Sequence, residues 1–170
     1  MELSKQLARD AKKKGICQQW HDELQKMTSK EEMLDMYVKG IDFCLSNDYP
    51  TNDFIREHFK GQGMEEHGIH LDEEINIVCQ PKCICLGKTK GVVTTSKYEV
   101  CEVFAKHESE LNVIAHDNAF VAVDVFDNAV VHVYAYENSK VCVNKYGGYV
   151  KCSSVDNARI KFREKNKKTY

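Results

Sequence analysis

The chain has 170 residues, of which 42% are hydrophobic and 29% charged, with a formal net charge of -2 at pH 7. This length allows one ordinary core or two small modules, and the near balance of charge indicates no particular partner. No apolar stretch approaches the roughly 18 residues of a membrane span, and the start of the chain is charged, so we expect a soluble cytoplasmic protein without a secretion signal.

Residues 1–62 have the spacing of a helical module. The first predicted helix carries one apolar stripe, formed by Ile16, Trp20, Leu24 and Met27. The second begins at Ser29, in capping-box relation to Glu32, and continues as one broad apolar face to Leu45. A short helix over about residues 51–60 follows. Such wide apolar faces must pack on each other or on the next module.

Residues 63–75 lose this periodicity and are predicted to be a linker. Strand preference then dominates, and we assign residues 76–164 to a repeat module and residues 165–170 to a basic tail. Charge is concentrated at this end of the chain, where residues 155–170 hold six basic side chains against two acidic ones.

A ten-residue repeat organises the second module. Counted in tens from Ser96, seven successive units, one of them shortened to nine residues, have apolar residues at the sixth and eighth positions. These pairs are Cys101 and Val103, Leu111 and Val113, Val121 and Val123, Val131 and Val133, Val141 and Val143, Val150 and Cys152, and Ile160 and Phe162. Alternation makes each unit a strand, and Asp-Asn, Glu-Asn or Gly-Gly at the second and third positions indicates a turn.

Two architectures compete for strands of this length. In an antiparallel meander with two-residue hairpins, each turn moves the apolar pair to the opposite face. In a parallel coil, an inward residue stays inward at every corner. We therefore predict an α+β chain in which N-terminal helices precede a small parallel β-solenoid of ten-residue repeats, two to a rung, with an antiparallel β-barrel or meander as the alternative.

The repeat frame extends backward over residues 76–95. It places Thr89, Val93 and Thr95 on the inner face, and Cys79, Cys83 and Cys85 on the inner face of the unit before. The three thiols also have some resemblance to a soft-metal site, but their C-x3-C-x-C spacing has no matching second pair. Small buried hydrophobes account for these cysteines, so we expect free thiols and no metal or cofactor.

Other residue types that carry chemistry lack the spacing that the chemistry requires. His58, His67 and His70 have no helical H-E-x-x-H arrangement, and the repeated aspartates of the turns lack the glycines of calcium-binding β-rolls. No nucleophile elbow, P-loop or dinucleotide fingerprint is present. We therefore expect a protein that is not an enzyme and has no catalytic residue.

Two surfaces are predicted to meet a partner. The first is basic and consists of Arg159, Lys161, Arg163, Lys165, Lys167 and Lys168. Such a row either holds phosphates of RNA or DNA or deters further strands at an unpaired edge. The second is apolar and consists of the outward residues Phe104, Ile114, Phe120 and Tyr134.

The chain contains the stretches "YVKGIDFCLSNDYPTNDFIREHFKG", "GIHLDEEINI", "KHESELNV", the "DNA" decads and "NKYGG". Together they resemble a family of small helical-plus-β-repeat proteins from Bacteroides-like bacteria and their phages or mobile elements. The resemblance implies a cytosolic accessory protein and brings no activity, cofactor or catalytic residue. Some mobile-element proteins of this size block host defence nucleases by binding them or their RNA.

Our expectation is a non-catalytic macromolecule-binding protein that presents a rigid solenoid surface. The partner is expected to be another protein or a second copy of the chain, and no membrane is involved. Nucleic-acid binding, above all RNA binding, or inhibition of a host defence nuclease is the alternative.

Overall fold

A computed structural model describes residues 2–170 and divides them into a helical unit that ends at His67 and a β unit over residues 68–169. The helical unit contains α1 (Leu3–Lys13), α2 (Gln18–Lys26), α3 (Lys30–Lys39), α4 (Ile41–Asn47), α5 (Asn52–His58) and a 3-10 helix (Met64–His67). None of the helices in this part of the chain has the length and apolar character needed to cross a membrane.

The predicted capping box is present at the start of α3. The Glu32 backbone N–H donates to Ser29 Oγ at 3.1 Å, and the Ser29 N–H donates to Glu32 Oε2 at 3.1 Å. A second backbone N–H, from Thr28, also donates to this carboxylate, and the two bonds lower the pKa of Glu32. The side chains of the cap thus fix where the helix begins.

The single helix predicted from Ser29 to Leu45 is wrong, because Gly40 divides it into α3 and α4. Gly40 has φ -99° and ψ 29°, outside the helical region. A Cβ at this position would lie 2.8 Å from Cζ3 of Trp20, so the glycine allows the indole to pack against the backbone. The stripe predicted to start at Ile16 is also shorter, since α2 begins at Gln18.

The β unit consists of eleven short strands. They are β1 (Ile69–Leu71), β2 (Glu74–Val78), β3 (Lys82–Leu86), β4 (Lys90–Thr95), β5 (Val100–Ala105), β6 (Glu110–Ala115), β7 (Phe120–Val125), β8 (Val130–Ala135), β9 (Lys140–Lys145), β10 (Tyr149–Ser154) and β11 (Arg159–Glu164). Odd-numbered strands form a six-stranded sheet in the order β1-β3-β5-β7-β9-β11, and even-numbered strands form a five-stranded sheet in the order β10-β8-β6-β4-β2.

All of these strand pairs are parallel, and each joins residues two repeats apart. Val121 lies opposite Val141 in the first sheet, and Leu111 lies opposite Val131 in the second. The predicted parallel β-solenoid with two repeats to a rung is therefore confirmed, and the antiparallel barrel or meander is wrong. The repeat with Gly147 and Gly148 is one residue shorter at a corner, and the strand register is kept, since Val150 still lies opposite Val131.

The solenoid begins at Ile69 rather than at Asn76. The predicted linker over residues 63–75 instead contains the 3-10 helix, β1 and the start of β2. Strand β1 has only three residues, and all three are buried, so it lacks the alternation that identifies the later strands. Its hydrogen-bonded partner is β3.

The predicted inner face forms the core between the two sheets. The valine pairs of the inner rungs, together with Cys101, Leu111 and Val113, are buried, as are Thr89, Val93 and Thr95. Cys83 and Cys85 also lie in this core, but the inward placement of Cys79 is wrong. Cys79 follows β2 at a corner with φ 52°, where its Sγ lies 3.4 Å from Ser96 Oγ.

The second position of each repeat forms the corner, as predicted from its turn residues. The non-glycine residues with positive φ at these positions are Lys97, His107, Asp117, Asp127, Glu137 and Asp156. Side chains at this position also connect the rungs. The Lys97 N–H donates to Asp117 Oδ2 at 2.8 Å, the Asp117 N–H to Glu137 Oε2, and the Glu137 N–H to Asp156 Oδ2 at 3.3 Å.

Candidate functional site

Strands β10 and β11 form the last rung of the solenoid, which we call the terminal rung (residues 149–164). Each is the last strand of its sheet: β10 pairs only with β8, and β11 pairs only with β9. Their other sides present a row of unpaired backbone N–H and C=O groups, which can template a further strand. Residues 165–170 contain no strand that could cover these edges.

The inward side chains of the terminal rung are less buried than those of earlier rungs. Val133 is 1% exposed, whereas Cys152, which lies opposite it one rung along, is exposed. Phe162 is 45% exposed, although its neighbour Val143 is fully buried. Val150 and Ile160 are covered from one side only and pack as partly buried residues on the end of the core. The apolar core of the solenoid is thus open at this end.

Three of the six predicted basic residues form a row along β11. Arg159, Lys161 and Arg163 are exposed, and no carboxylate within residues 2–170 forms an ion pair with any of them. Arg159 even lies opposite Lys140 of β9, so like charges are adjacent there. The row therefore adds a positive potential to the open edge.

The other three basic residues are placed differently. Lys165 continues the backbone ladder, since its N–H donates to Lys145 O at 2.8 Å, and its Nζ lies 6.0 Å from the ring centre of Tyr146. Lys167 and Lys168 are exposed beyond the last strand. The basic tail predicted for residues 165–170 thus starts with one lysine packed on the corner of the solenoid.

Some lysines of the earlier rungs form an ion pair with a carboxylate one rung further on. Lys82 Nζ lies 3.1 Å from Glu102 Oε2, and Lys90 Nζ lies 3.0 Å from Glu110 Oε1. The final pair of this kind joins Lys145 to Glu164 at 3.3 Å. Exposed pairs of this kind contribute little to stability, but at these three lysines they place an acidic residue on the next strand.

The corner of the terminal rung has a free hydrogen-bond donor. In the three preceding corners of the same column, the N–H of Lys97, Asp117 or Glu137 donates to a carboxylate one rung further on. The N–H of Asp156 has no acceptor within the described chain, because no later corner follows it. The terminal corner therefore presents the donor that a carboxylate accepts elsewhere in the column.

The predicted apolar surface of Phe104, Ile114, Phe120 and Tyr134 does not exist as one patch. Phe104 and Phe120 lie on the outer face of the six-stranded sheet, and Ile114 and Tyr134 on that of the five-stranded sheet. Phe104 is 6% exposed and is not available to a partner. Phe120 is 39% exposed and forms a small exposed pair with Val100, its neighbour in register.

The cysteines and the histidines that were considered as metal ligands lie in different surroundings. Burial raises the pKa of the Cys85 thiol, and hydrogen bonding to Cys101 raises that of Cys83, so both thiols are held in the neutral form. His67 Nδ1 lies 3.0 Å from Asp35 Oδ1, whereas His70 Nδ1 lies 2.7 Å from Glu73 Oε1. Each histidine thus has its own carboxylate.

Two features do not follow from the predicted repeat positions. The first is the exposure of Cys152 and Phe162, whose positions predict burial; the available signal is that the repeat pattern stops at Glu164. The second is a shallow groove between α1 and α2, lined by Arg9, Lys12, Lys13, His21 and Gln25. The run of basic residues in α1 was the available signal, but Asp10 already pairs with both Arg9 and Lys13.

Comparisons with known proteins yielded no match to this chain among protein-family models, curated proteins or solved structures.

Proposed function

We propose that the chain is a non-catalytic binding protein of the cytoplasm that holds another macromolecule, most directly a protein, at the terminal rung of its solenoid. The observation that carries this proposal is the exposure of core residues at one end of an otherwise buried stack. Solenoids require a terminal repeat with a polar outer face to remain soluble alone, and Cys152 and Phe162 are not polar. A partner that covers this end would complete the stack.

The geometry also provides the main-chain groups for such binding. The free edges of β10 and β11 can pair with an extended segment of a protein, which is a recurring mode of peptide recognition. The parallel ladders of the earlier rungs hold these edges in a fixed conformation. Little ordering of the solenoid is then needed on binding, which favours affinity.

The experiment is a selection of peptides from a random display library on the immobilised protein. We expect enriched peptides with strand-forming sequences that lose binding to the double variant Cys152→Lys, Phe162→Lys. The matched control is Val100→Lys, Phe120→Lys, which changes an exposed apolar pair away from the terminal rung and is expected to retain binding. Peptides that bind the Cys152 and Phe162 variant unchanged would contradict the proposal.

Nucleic-acid binding is a second candidate function, favoured by the unpaired cations of β11. In this account Arg159, Lys161 and Arg163 contact phosphates, and the exposed Lys167 and Lys168 extend the contact. The apolar side chains of the open core have no role in it.

Gel shifts with single-stranded RNA and duplex DNA at two salt concentrations test this second candidate. Phosphate contacts predict that affinity falls steeply with salt, with a slope that decreases by about 0.7 for each contact removed from a single strand. Replacing the three β11 cations with glutamine is then expected to reduce both affinity and slope. An unchanged affinity in that variant would exclude these residues as the nucleic-acid site.

A further inference from the structure

We propose that the terminal rung binds an extended acidic segment of another protein, which adds to β11 as a further parallel strand. This inference rests on the proposed function and names the chemistry of the partner. It uses four features of the same end: the unpaired edge of β11, an unsatisfied corner N–H, a row of unpaired cations and the exposed core side chain of Phe162.

The direction of the added strand follows from the rest of the solenoid. Every strand pair of the β unit is parallel, and β11 itself pairs with β9 in that way. A parallel strand also brings its preceding corner next to Asp156, whose N–H has no acceptor in the described chain. A carboxylate at that point repeats the bond that Asp156 Oδ2 accepts from the Glu137 N–H at 3.3 Å.

The charge of the partner follows from the pairs of the earlier rungs. Where β3 presents Lys82, β5 supplies Glu102, and where β4 presents Lys90, β6 supplies Glu110. Strand β11 presents Arg159, Lys161 and Arg163 on one face, and no carboxylate of the described residues forms an ion pair with them. An added strand with acidic residues at three alternate positions would pair with all of them.

The residues between those acids face the open core. Ile160 and Phe162 alternate with the three cations along β11, so the same added strand places two side chains over them. Apolar residues at these two positions would bury Phe162, which is 45% exposed. The partner motif is therefore a corner carboxylate followed, three residues later, by alternating acidic and apolar residues.

A second copy of the chain does not have this chemistry. Two terminal rungs that meet edge to edge bring Lys161 and its flanking arginines close to the same residues of the other copy, which is unfavourable. Head-to-tail stacking would place β1 on β11, but Ile69, His70 and Leu71 are all buried and carry no acid. The edge therefore selects against self-association and for an acidic strand.

The test uses the full chain and synthetic peptides in fluorescence anisotropy. The probe is a labelled peptide that contains Asp-Asn-Ala-Glu-Val-Glu-Val-Glu, and the controls replace its three glutamates with lysine or its first aspartate with alanine. We expect the acidic peptide to bind, the lysine peptide not to bind, and loss of the aspartate to weaken binding by about threefold.

A charge reversal in the protein provides the matched test. The variant Arg159→Glu, Lys161→Glu, Arg163→Glu is expected to bind the acidic peptide about tenfold more weakly and to gain binding of the lysine peptide. Circular dichroism checks its fold. If that variant does not fold, the affinity of the unmodified protein at rising salt decides, since these exposed pairs require that affinity to fall.

The outcomes separate this inference from the proposed function. If the acidic and lysine peptides bind equally well, and both lose binding to the variant Cys152→Lys, Phe162→Lys, the acidic preference is overturned and the proposed function stands. Absence of peptide binding would overturn the inference, and the display selection then decides on the function. A concentration-dependent dimer that excludes the peptide, or RNA that displaces it from β11, would also overturn the inference.

Discussion

The inner rungs and the terminal rung of the solenoid have the same repeat pattern but different surroundings. Val131 and Val150 occupy the same position one rung apart and lie opposite each other, yet only Val131 is fully buried. The repeat position decides which way a side chain points, because strands alternate. Whether that side chain is buried depends on the next rung, and within residues 2–170 no strand pairs with the outer edge of the terminal rung.

The largest expected difference comes from a charge placed in the inner core. Val131→Asp leaves an unpaired carboxylate inside the stack and is expected to cost about 4 kcal/mol or more of unfolding free energy. Val150→Asp, at the open end, is expected to cost about 1 kcal/mol. Urea denaturation monitored by circular dichroism measures both values.

The control for that pair is His132→Asp, one residue further along β8 and on the outer face. It is expected to change stability by no more than about 0.5 kcal/mol. Equal damage from Val131→Asp and His132→Asp would contradict the assigned facing of β8.

A large aromatic side chain gives a second comparison. Phe126 is fully buried, its ring stacks on Tyr146 with centres 4.8 Å apart, and Lys106 Nζ lies 5.6 Å from its ring centre. Phe126→Ala is expected to cost about 3–5 kcal/mol, whereas Phe162→Ala at the open end costs about 1 kcal/mol or less. Thermal unfolding of both variants tests this, and similar losses would show that Phe162 is buried in solution.

The smallest expected effect concerns the column of carboxylates at the corners. The Lys97 N–H donates to the carboxylate of Asp117 and lowers its pKa from the ordinary 3.8. Because the ionised form is favoured in the folded chain, this contribution to stability is present above pH 3.8 and is lost as pH falls through the lower folded pKa. Acid should therefore weaken the corner.

The variant Asp117→Asn tests that sign, since an asparagine still accepts a hydrogen bond but does not titrate in this range. Urea midpoints of the variant are expected to fall less than those of the unmodified protein between about pH 5 and about pH 2. Parallel losses in the two proteins would show that the corner carboxylate contributes nothing to the acid sensitivity.

Much of the β unit follows from the sequence because its pattern is local and repeated. Valine alternation defines the strands, and a ten-residue period with inward residues at every unit favours parallel coiling over an antiparallel meander. The start at Ile69 was not predictable in this way, because a three-residue buried strand has no alternation. Gly40, where the predicted helix divides, packs against the Trp20 ring, a contact that local periodicity does not contain.

The candidate site was predictable in part. The alternation in β11 identifies Arg159, Lys161 and Arg163 as an outward row, and their exposure agrees. The same alternation assigns Cys152 and Phe162 to the core. It predicts which way a side chain points, but not whether another rung covers that side chain. The grouping of Phe104 with Ile114 failed because successive repeats alternate between two sheets, so outward residues of neighbouring units point to opposite sides.

Native thiol labelling tests the open end most directly. The protein is treated with a maleimide, and each modified cysteine is quantified by mass spectrometry against its labelling in denaturant at the same pH. We expect modification of Cys152 in the folded protein, more slowly than in denaturant because partial burial raises the pKa of its thiol, while Cys83, Cys85 and Cys101 react only on unfolding. Protection of Cys152 equal to that of Cys101 would show a covered end and contradict the account.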